Sequence, residues 1–329
     1  MPPHIVHNSS SLRSVSKALG KWWYYKIELE PGIFTPGTLS ENNYSTPRHA
    51  LSRIKVQGLR CLDVGTMEGL IPTLWAKNEA RQVVATDGWS TCVDKVDIIK
   101  HFHGVSFDYH LIPPAANIYD YLRDVEFSSA FYNSPHREGY KEFDLINFSG
   151  VLYHVWSPLH WLASVRPLLR EGGLIVVSTH LLDTDKPIME FNTEGHLQRE
   201  ADTFWYISPA VFQYMLNMLG LKPIDAVMAR YEVEGNASSV YASVVCRAVD
   251  SPIARPGDEW MDICFANSIE LKAHRRAKSY SAPAYITYSG KTAEGEPEIS
   301  LVTAVKTVMD SVPREFRRYN YMLRLDDLE

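Results

Sequence analysis

Residues 59–89 hold an apolar strand, LRCLDVG, a glycine-spaced turn, the stretch LIPTLWAKNEA with apolar residues at helical spacing, and a second strand, QVVATDG, that ends on an acid. This order restricts the chain more than any other feature. Two strands joined through a helix lie parallel in one sheet, and the helix must cover a face of it. Gly65 lets the backbone come close to a ligand at the first turn, and Gly69 lets the helix pack tightly on the strand.

The same alternation continues to residue 249. SFDYHLIP is a weaker third strand and FDLINFSG a fourth. PLHWLASVRPLLR reads as a helix with apolar residues at Leu159, Leu162, Val165, Leu168 and Leu169, stopped by Gly172-Gly173 before the strand LIVVSTHLL. Pro209 opens a helix that Gly220 ends, and the strands PIDAVMARYEV and SVYASVVCRAV follow. The EGNASS link between these last two is too short for a crossover, so they form an antiparallel hairpin. The fold class is therefore α/β: a Rossmann-like, doubly wound, seven-stranded sheet with a terminal antiparallel hairpin. Residues 1–50 read as an arm with a first helix near Leu12–Leu19 and an aromatic cap, KWWYYKIELEPGIFTPG, turned by Pro31-Gly32 and Pro36-Gly37. Residues 51–250 form the main domain. Residues 251–329 form a mostly helical extension, with helices at about 259–278 and 301–309, serving as a lid, an oligomer contact or a support for the sheet edge.

Composition narrows the function. With 33 Lys and Arg against 39 Asp and Glu the formal charge is −6, which gives no overall attraction to nucleic acid or an anionic membrane. Cys61, Cys92, Cys246 and Cys264 lie far apart, with neither a CxxC pair nor zinc spacing, and read as reduced thiols. His101, His103 and His110 offer an HxH spacing without a carboxylate or cysteine partner, so they read as a solvated face and no metal is expected. The N-terminus lacks a signal-peptide pattern, and no apolar run approaches the roughly 20 residues of a membrane span, so the reading is a soluble, cytoplasmic protein.

Candidate site residues gather at the carboxyl ends of the strands, where open α/β sheets bind ligands. In Asp63-Val64-Gly65-Thr66-Met67-Glu68-Gly69 the acid at Asp63 suits a cationic or amino-bearing ligand, such as the methionine end of S-adenosylmethionine. A dinucleotide pyrophosphate would instead favour GxGxxG amides with no carboxylate beside them. Asp87, with Gly88 after it, ends the second strand about 20 residues on, where a carboxylate accepts ribose hydroxyls. Asn117 and Ile118 follow the third strand as an adenine wall, and Ser149 and Gly150 follow the fourth with carbonyls for the cofactor's amino group. Tyr153, His154 and His180 are candidates at the transfer site. Tyr24, Tyr25 and Glu28 of the cap, with Glu190, Trp205 and Tyr206 of the loop after the fifth strand, are candidates for the acceptor wall. Each has a plainer reading as well: histidines that brace a loop, aromatic residues that plug the fold.

LDVGTMEG, ATDGW, FSGVLYHVWSPLHWL, GGLIVVST and TFWYISPAVFQYMLNMLGL together resemble the class I methyltransferase family that includes the tRNA wobble-uridine carboxymethyltransferases and relatives acting on small molecules, over roughly residues 21–247. WYYKIELEPGIFTPG is similar to the N-terminal cap of the small-molecule relatives. The resemblance implies S-adenosylmethionine as cofactor. Members using the carboxylated donor carry a basic segment with a lysine where this chain has LEPGIFTPG, so the ordinary donor is implied here. Met67 stands near the place where the family usually has an aromatic residue. The expected function is methylation of a small, aromatic or apolar metabolite on O, N or C, in a chain able to form a homodimer. The alternatives are a tRNA wobble-uridine modifier and a non-catalytic binding protein with the same fold; a nicotinamide dehydrogenase is disfavoured by the turn and the hairpin.

Overall fold

A computed structural model describes residues 19–20, 22–37, 42–113, 118–123, 142–193, 202–231, 239–249, 286–289, 296–311 and 322–324. Its strands are β1 (Glu28–Glu30), β2 (Ile33–Phe34), β3 (Arg60–Val64), β4 (Gln82–Asp87), β5 (Asp108–Leu111), β6 (Phe143–Ser149), β7 (Leu169–Leu182), β8 (Met189–Phe191), β9 (Trp205–Ile207), β10 (Leu221–Tyr231), β11 (Ser239–Ala248) and β12 (Met322–Arg324). Its α-helices are α1 (Asn42–Ser52), α2 (Leu70–Lys77), α3 (Val93–His103), α4 (Ile118–Arg123), α5 (Pro158–Val165), α6 (Pro209–Met218) and α7 (Leu301–Ser311).

The main sheet runs β12-β10-β11-β7-β6-β3-β4-β5. Pairs β3–β4, β4–β5, β3–β6 and β6–β7 are parallel, while β11 pairs antiparallel with both β7 and β10. The seven expected strands and their hairpin are present, with short β8, β9 and β12 added. From β3 the chain winds outward through β4 and β5, then returns to the other side of β3 as β6. The crevice at this reversal opens at the carboxyl ends of β3 and β6.

Alternate residues of the central strands supply two cores, as a sheet covered on both faces requires. Leu62, Val64, Ile146, Phe148, Ile175 and Val177 face one layer, and Cys61, Leu145, Leu174 and Val176 face the other. The helix ends follow local chemistry. Ser208 accepts from Val211 N at 3.4 Å ahead of Pro209, whose missing N–H costs nothing at the first helical position. One expected boundary moves: α5 stops at Val165, not at Gly172-Gly173. Pro167 has no N–H with which to continue the helical ladder, and a short 3₁₀ turn, Arg166–Leu168, leads straight into β7. Gly172, at φ 70°, and Gly173 instead form an irregularity within the β6–β7 ladder, where a Cβ on residue 173 would sit 2.7 Å from Leu169. The helices expected near 12–19 and 259–278 fall largely or wholly outside the described residues.

Part of the C-terminal region is built into the sheet's covering. Leu301, Ala304, Val305 and Val308 of α7 are buried in the first core, and Ile286 and Tyr288 in the second. Arg247 of β11 donates from Nε to Glu296 Oε2 at 2.6 Å, and its other nitrogens reach Glu296 again and the carbonyls of Gly172 and Ile286. Glu296→Ala would leave that buried guanidinium without its counter-charge. The variant should lose about 3–5 kcal/mol of stability in urea unfolding; a loss below about 1 kcal/mol would mean that the pair is solvated like a surface bridge.

Candidate functional site

The crevice contains a cavity of about 440 Å³. Its floor comes from the carboxyl ends of four parallel strands: Val64 and Gly65 after β3, Asp87 and Gly88 after β4, Ile112 after β5, and Ser149 and Gly150 after β6. The turn beneath it is tied to the neighbouring strand by backbone hydrogen bonds. Gly65 N and Thr66 N both donate to Thr86 O, at 2.9 and 3.0 Å. Gly65 has φ 76°, and a Cβ there would lie 2.4 Å from Val151 Cγ2, so a side chain would close the approach that the turn leaves open. Gly69 has φ 79° and immediately precedes α2 against Phe107.

Asp87 is buried, and its carboxylate takes Met67 N at 2.7 Å on Oδ2 and Trp89 N at 2.8 Å on Oδ1. Burial raises its pKa, against the pull of the N–H groups of Trp89, Met67 and Gly88. The carboxylate retains acceptor capacity for a ligand hydroxyl. Asp63 has a different place. It is wholly buried and is not part of the cavity wall. Its Oδ1 accepts from Asn147 Nδ2 at 2.6 Å, and burial pushes its carboxyl up to about 6. Asn147 does line the cavity, and its Oδ1 accepts from Ser149 Oγ at 2.6 Å. Ser149 is in turn linked to Ser178, Ser243 and Thr46 by hydroxyl contacts of 2.7–2.8 Å.

The roof is the aromatic cap. Tyr24 N and Tyr25 N donate to the two carboxylate oxygens of Glu68, at 2.8 and 3.1 Å. Lys95 Nζ meets the same carboxylate at 2.9 Å and lies under the rings of Trp22 and Trp23 at 4.9 and 5.5 Å. Trp22, Tyr24 and Tyr25 thereby line the cavity. Glu28 does not; its side chain accepts from Gly32 N within the β1–β2 turn.

Tyr153 and His154 also line the cavity, with Trp161, Asp202 and Tyr241. His154 is partly exposed, and its Nδ1 lies 2.7 Å from the carbonyl of Asp202. A carbonyl only accepts, so Nδ1 carries the hydrogen, and Nε2 is the nitrogen left to accept when the ring carries a single hydrogen. His180 lies behind this wall. It is buried among Tyr241, Tyr153 and Tyr206, with ring centroids 4.9, 5.1 and 5.3 Å away, and burial, aided by His154, lowers its pKa to about 3. Tyr206 is buried against it, while Glu190 and Trp205 sit on the β8–β9 pair away from the cavity wall. Thr66 is buried in the turn, Ile118 lines the cavity at the start of α4, and Asn117 falls outside the described residues. Glu68, Lys95, Asn147 and Tyr241 were not singled out from the sequence. Asn147 alone carried a local signal, a polar residue within the apolar strand FDLINFS. Among the described residues, no group of three or more His, Cys, Asp or Glu is placed to hold a metal ion.

The model of a family described as a methyltransferase domain matches residues 40–226, more than half of the chain. A tRNA U34 carboxymethyltransferase of Pseudoalteromonas translucida is 27% identical over 173 residues, covering 52% of this chain and 47% of that protein. Another, from Idiomarina loihiensis, is 31% identical over 93 residues; the chain spans only 28% of its length. A ubiquinone biosynthesis O-methyltransferase of Roseobacter denitrificans is 25% identical over 236 residues, covering 68% of this chain and 86% of that protein. Among solved structures, the N-terminal domain of EvdMO1 in the presence of SAH and D-fucose has a TM-score of 0.53 at 16% identity, covering 74% of this chain and 97% of that one, a likeness of fold.

The buried histidine makes a pH-dependent prediction. His180 titrates at about 3 in the folded chain against an ordinary value of 6.5, so below 6.5 the unfolded chain binds a proton that the folded chain does not. Its contribution to stability is whole above pH 6.5 and is lost as pH falls toward 3. Asp63 acts oppositely, since a folded value of about 6 above the ordinary 3.8 lowers stability as pH rises through that window. Comparing wild type with His180→Phe isolates the histidine. Between pH 7 and 5 the variant should lose about 2 kcal/mol less stability in urea unfolding; equal losses would show that the folded ring takes up the proton.

Proposed function

The chain belongs to the methyltransferase domain family, and on that premise we propose that it transfers a methyl group from S-adenosylmethionine to a small, aromatic or apolar metabolite of the natural-product kind, in the cytoplasm. The observation that carries this reading is one cavity lined both by Gly65, Asp87 and Gly88 and by Tyr153, His154 and Tyr241. Its volume lies within the roughly 300–1,000 Å³ usual for small-ligand sites.

The residues present fit this donor. Asp87 is suited to ribose hydroxyls, the apolar Ile112 and Ile118 to the face of an adenine, and the Gly65–Met67 backbone to close contact with the methionine portion. Among the described residues no lysine or arginine lines the cavity. This supports the ordinary donor over a carboxylated one, whose extra charge would need a cationic partner. When bound, the donor supplies a methyl group on a sulfonium, ready for in-line displacement. The chain's own residues do the rest. The Trp22-Tyr24-Tyr25 roof limits the orientation of the acceptor. His154, with Nδ1 committed to the Asp202 carbonyl, presents Nε2 to take a proton from an acceptor that has one to lose.

A second reading, a tRNA wobble-uridine modifier, is favoured by the likeness to the two carboxymethyltransferases and opposed by the formal charge of −6. Binding of unmodified tRNA with a steep salt dependence would favour it, and no binding at low salt would remove it. For the first reading, Asp87→Ala should weaken binding of S-adenosylhomocysteine at least ~10-fold in calorimetry, because a carboxylate accepting two hydroxyls is lost. Equal affinity would show that the ribose lies elsewhere, and no binding by wild type would leave a non-catalytic protein with this fold.

A further inference from the structure

Two phenols meet over Gly150, at the carboxyl end of β6. Measured from the position a Cβ on Gly150 would take, the hydroxyl oxygens of Tyr153 and Tyr241 lie 3.4 and 3.7 Å away. Both residues line the cavity, and their hydroxyls are hydrogen-bonded to each other. Gly150, at φ 74°, carries no side chain, so the oxygens stand over bare backbone. Tyr241 reaches this point from β11, opposite His180 in the β7–β11 ladder.

The groups around the pair restrict what it can bind. Tyr24 approaches from the cap, His154 and Asp202 from the two loops at the mouth, and His180 and Tyr206 stand behind. None of these is a lysine or arginine, and His180 is kept neutral by burial. Burial holds Tyr241 protonated well beyond the ordinary phenol range, so it offers an O–H and not a negative charge. A neutral O–H donor favours a ligand oxygen that carries negative charge. Its hydrogen bond to the ionised form lowers the pKa of an acid placed there, against the raising effect of burial and of the Asp202 carboxylate.

Resting on the methyltransferase reading above, we propose that Tyr241 and Tyr153 form the subsite for the acceptor oxygen, and that the acceptor class is an acidic hydroxyl, a phenol or enol, methylated on oxygen as its anion. In the balanced step, the acceptor O–H gives its proton to His154 Nε2. A lone pair of the acceptor oxygen forms the new O–C bond to the methyl carbon. The carbon–sulfur bond breaks with its electron pair left on sulfur, giving the methyl ether and a neutral thioether.

The probe is 4-nitrophenol, whose anion is coloured, titrated into protein saturated with S-adenosylhomocysteine. In wild type the bound probe should ionise at lower pH than the free phenol. In Tyr241→Phe, which keeps the ring, affinity for the phenolate should fall at least ~10-fold and its ionisation should return toward that of free phenol. Affinity for S-adenosylhomocysteine in the same variant reports that the site is folded. Should that affinity be lost, Tyr153→Phe is read by the same criteria. No uptake of the probe by loaded wild type, or equal phenolate binding and ionisation in wild type and variant, overturns the subsite. Failure of wild type to bind S-adenosylhomocysteine is a separate result, and it overturns the methyltransferase reading itself.

Discussion

The carboxylate of Glu68 is fully buried, and the arrangement of the cavity depends on what neutralises it. An isolated carboxylate in such a place would be prohibitive. Here Lys95 Nζ and the backbone N–H groups of Tyr24 and Tyr25 share its two oxygens. Three separate pieces of chain are thereby fixed to one another: the glycine turn that carries Glu68, helix α3 that carries Lys95, and the aromatic cap. The ammonium also lies under Trp22 and Trp23, so the cap is held by rings over a cation as well as by hydrogen bonds. Met67, the residue before Glu68, has a left-handed φ of 51° and donates its N–H to Asp87. Two adjacent residues thus tie the roof of the cavity to Asp87 at the end of β4.

Beneath the floor a second polar system crosses the sheet. Asp63, Asn147, Ser149, Ser178, Ser243 and Thr46 follow one another by hydrogen-bond contacts through β3, β6, β7 and β11 into α1. The strand order makes this possible, because β3, β6, β7 and β11 are consecutive neighbours although far apart in the chain. Polar side chains inside an apolar sheet are tolerated when each finds a partner, and they then specify register. In this protein the row fixes Asn147 and Ser149, the two members that reach the cavity. Asp63 is linked to the cavity wall through Asn147 and does not itself line it.

The features legible in the sequence are those decided locally. The glycines of the first turn, the acid at the end of β4, the proline-opened helices and the antiparallel hairpin follow from backbone conformations that a few neighbouring residues dictate. The misplaced end of α5 is instructive in the same sense: Gly172-Gly173 looked like a helix stop, yet Pro167 had already removed the necessary donor. What could not be read were meetings across long separations. Glu68 and Lys95 are 27 residues apart, Asn147 and Asp63 are 84 apart, and Arg53 and Asp225 are 172 apart. Tyr241 lies in a strand buried along its whole length, so alternation gives it no distinction from its neighbours. His180 was legible as a residue near the site but not in its state, because its enclosure comes from Tyr153, Tyr206 and Tyr241 on other segments.

The distribution of charge around the cavity has its own logic. Its acids are Asp87, at the end of β4, and Asp202; no described lysine or arginine lines it, and Tyr153 and Tyr241 line it as well. A wall of this kind places no lysine or arginine among the described residues beside a sulfonium, so the cations there would be the donor's own and, once it has taken the acceptor's proton, His154. Low dielectric strengthens the attraction between that cation and an anionic acceptor. A lysine near Gly150 would hold the same anion more tightly but would compete with the sulfonium for it. Hydroxyls of Tyr153 and Tyr241 would position an oxygen without supplying a rival charge, beneath the cap that Glu68 fixes.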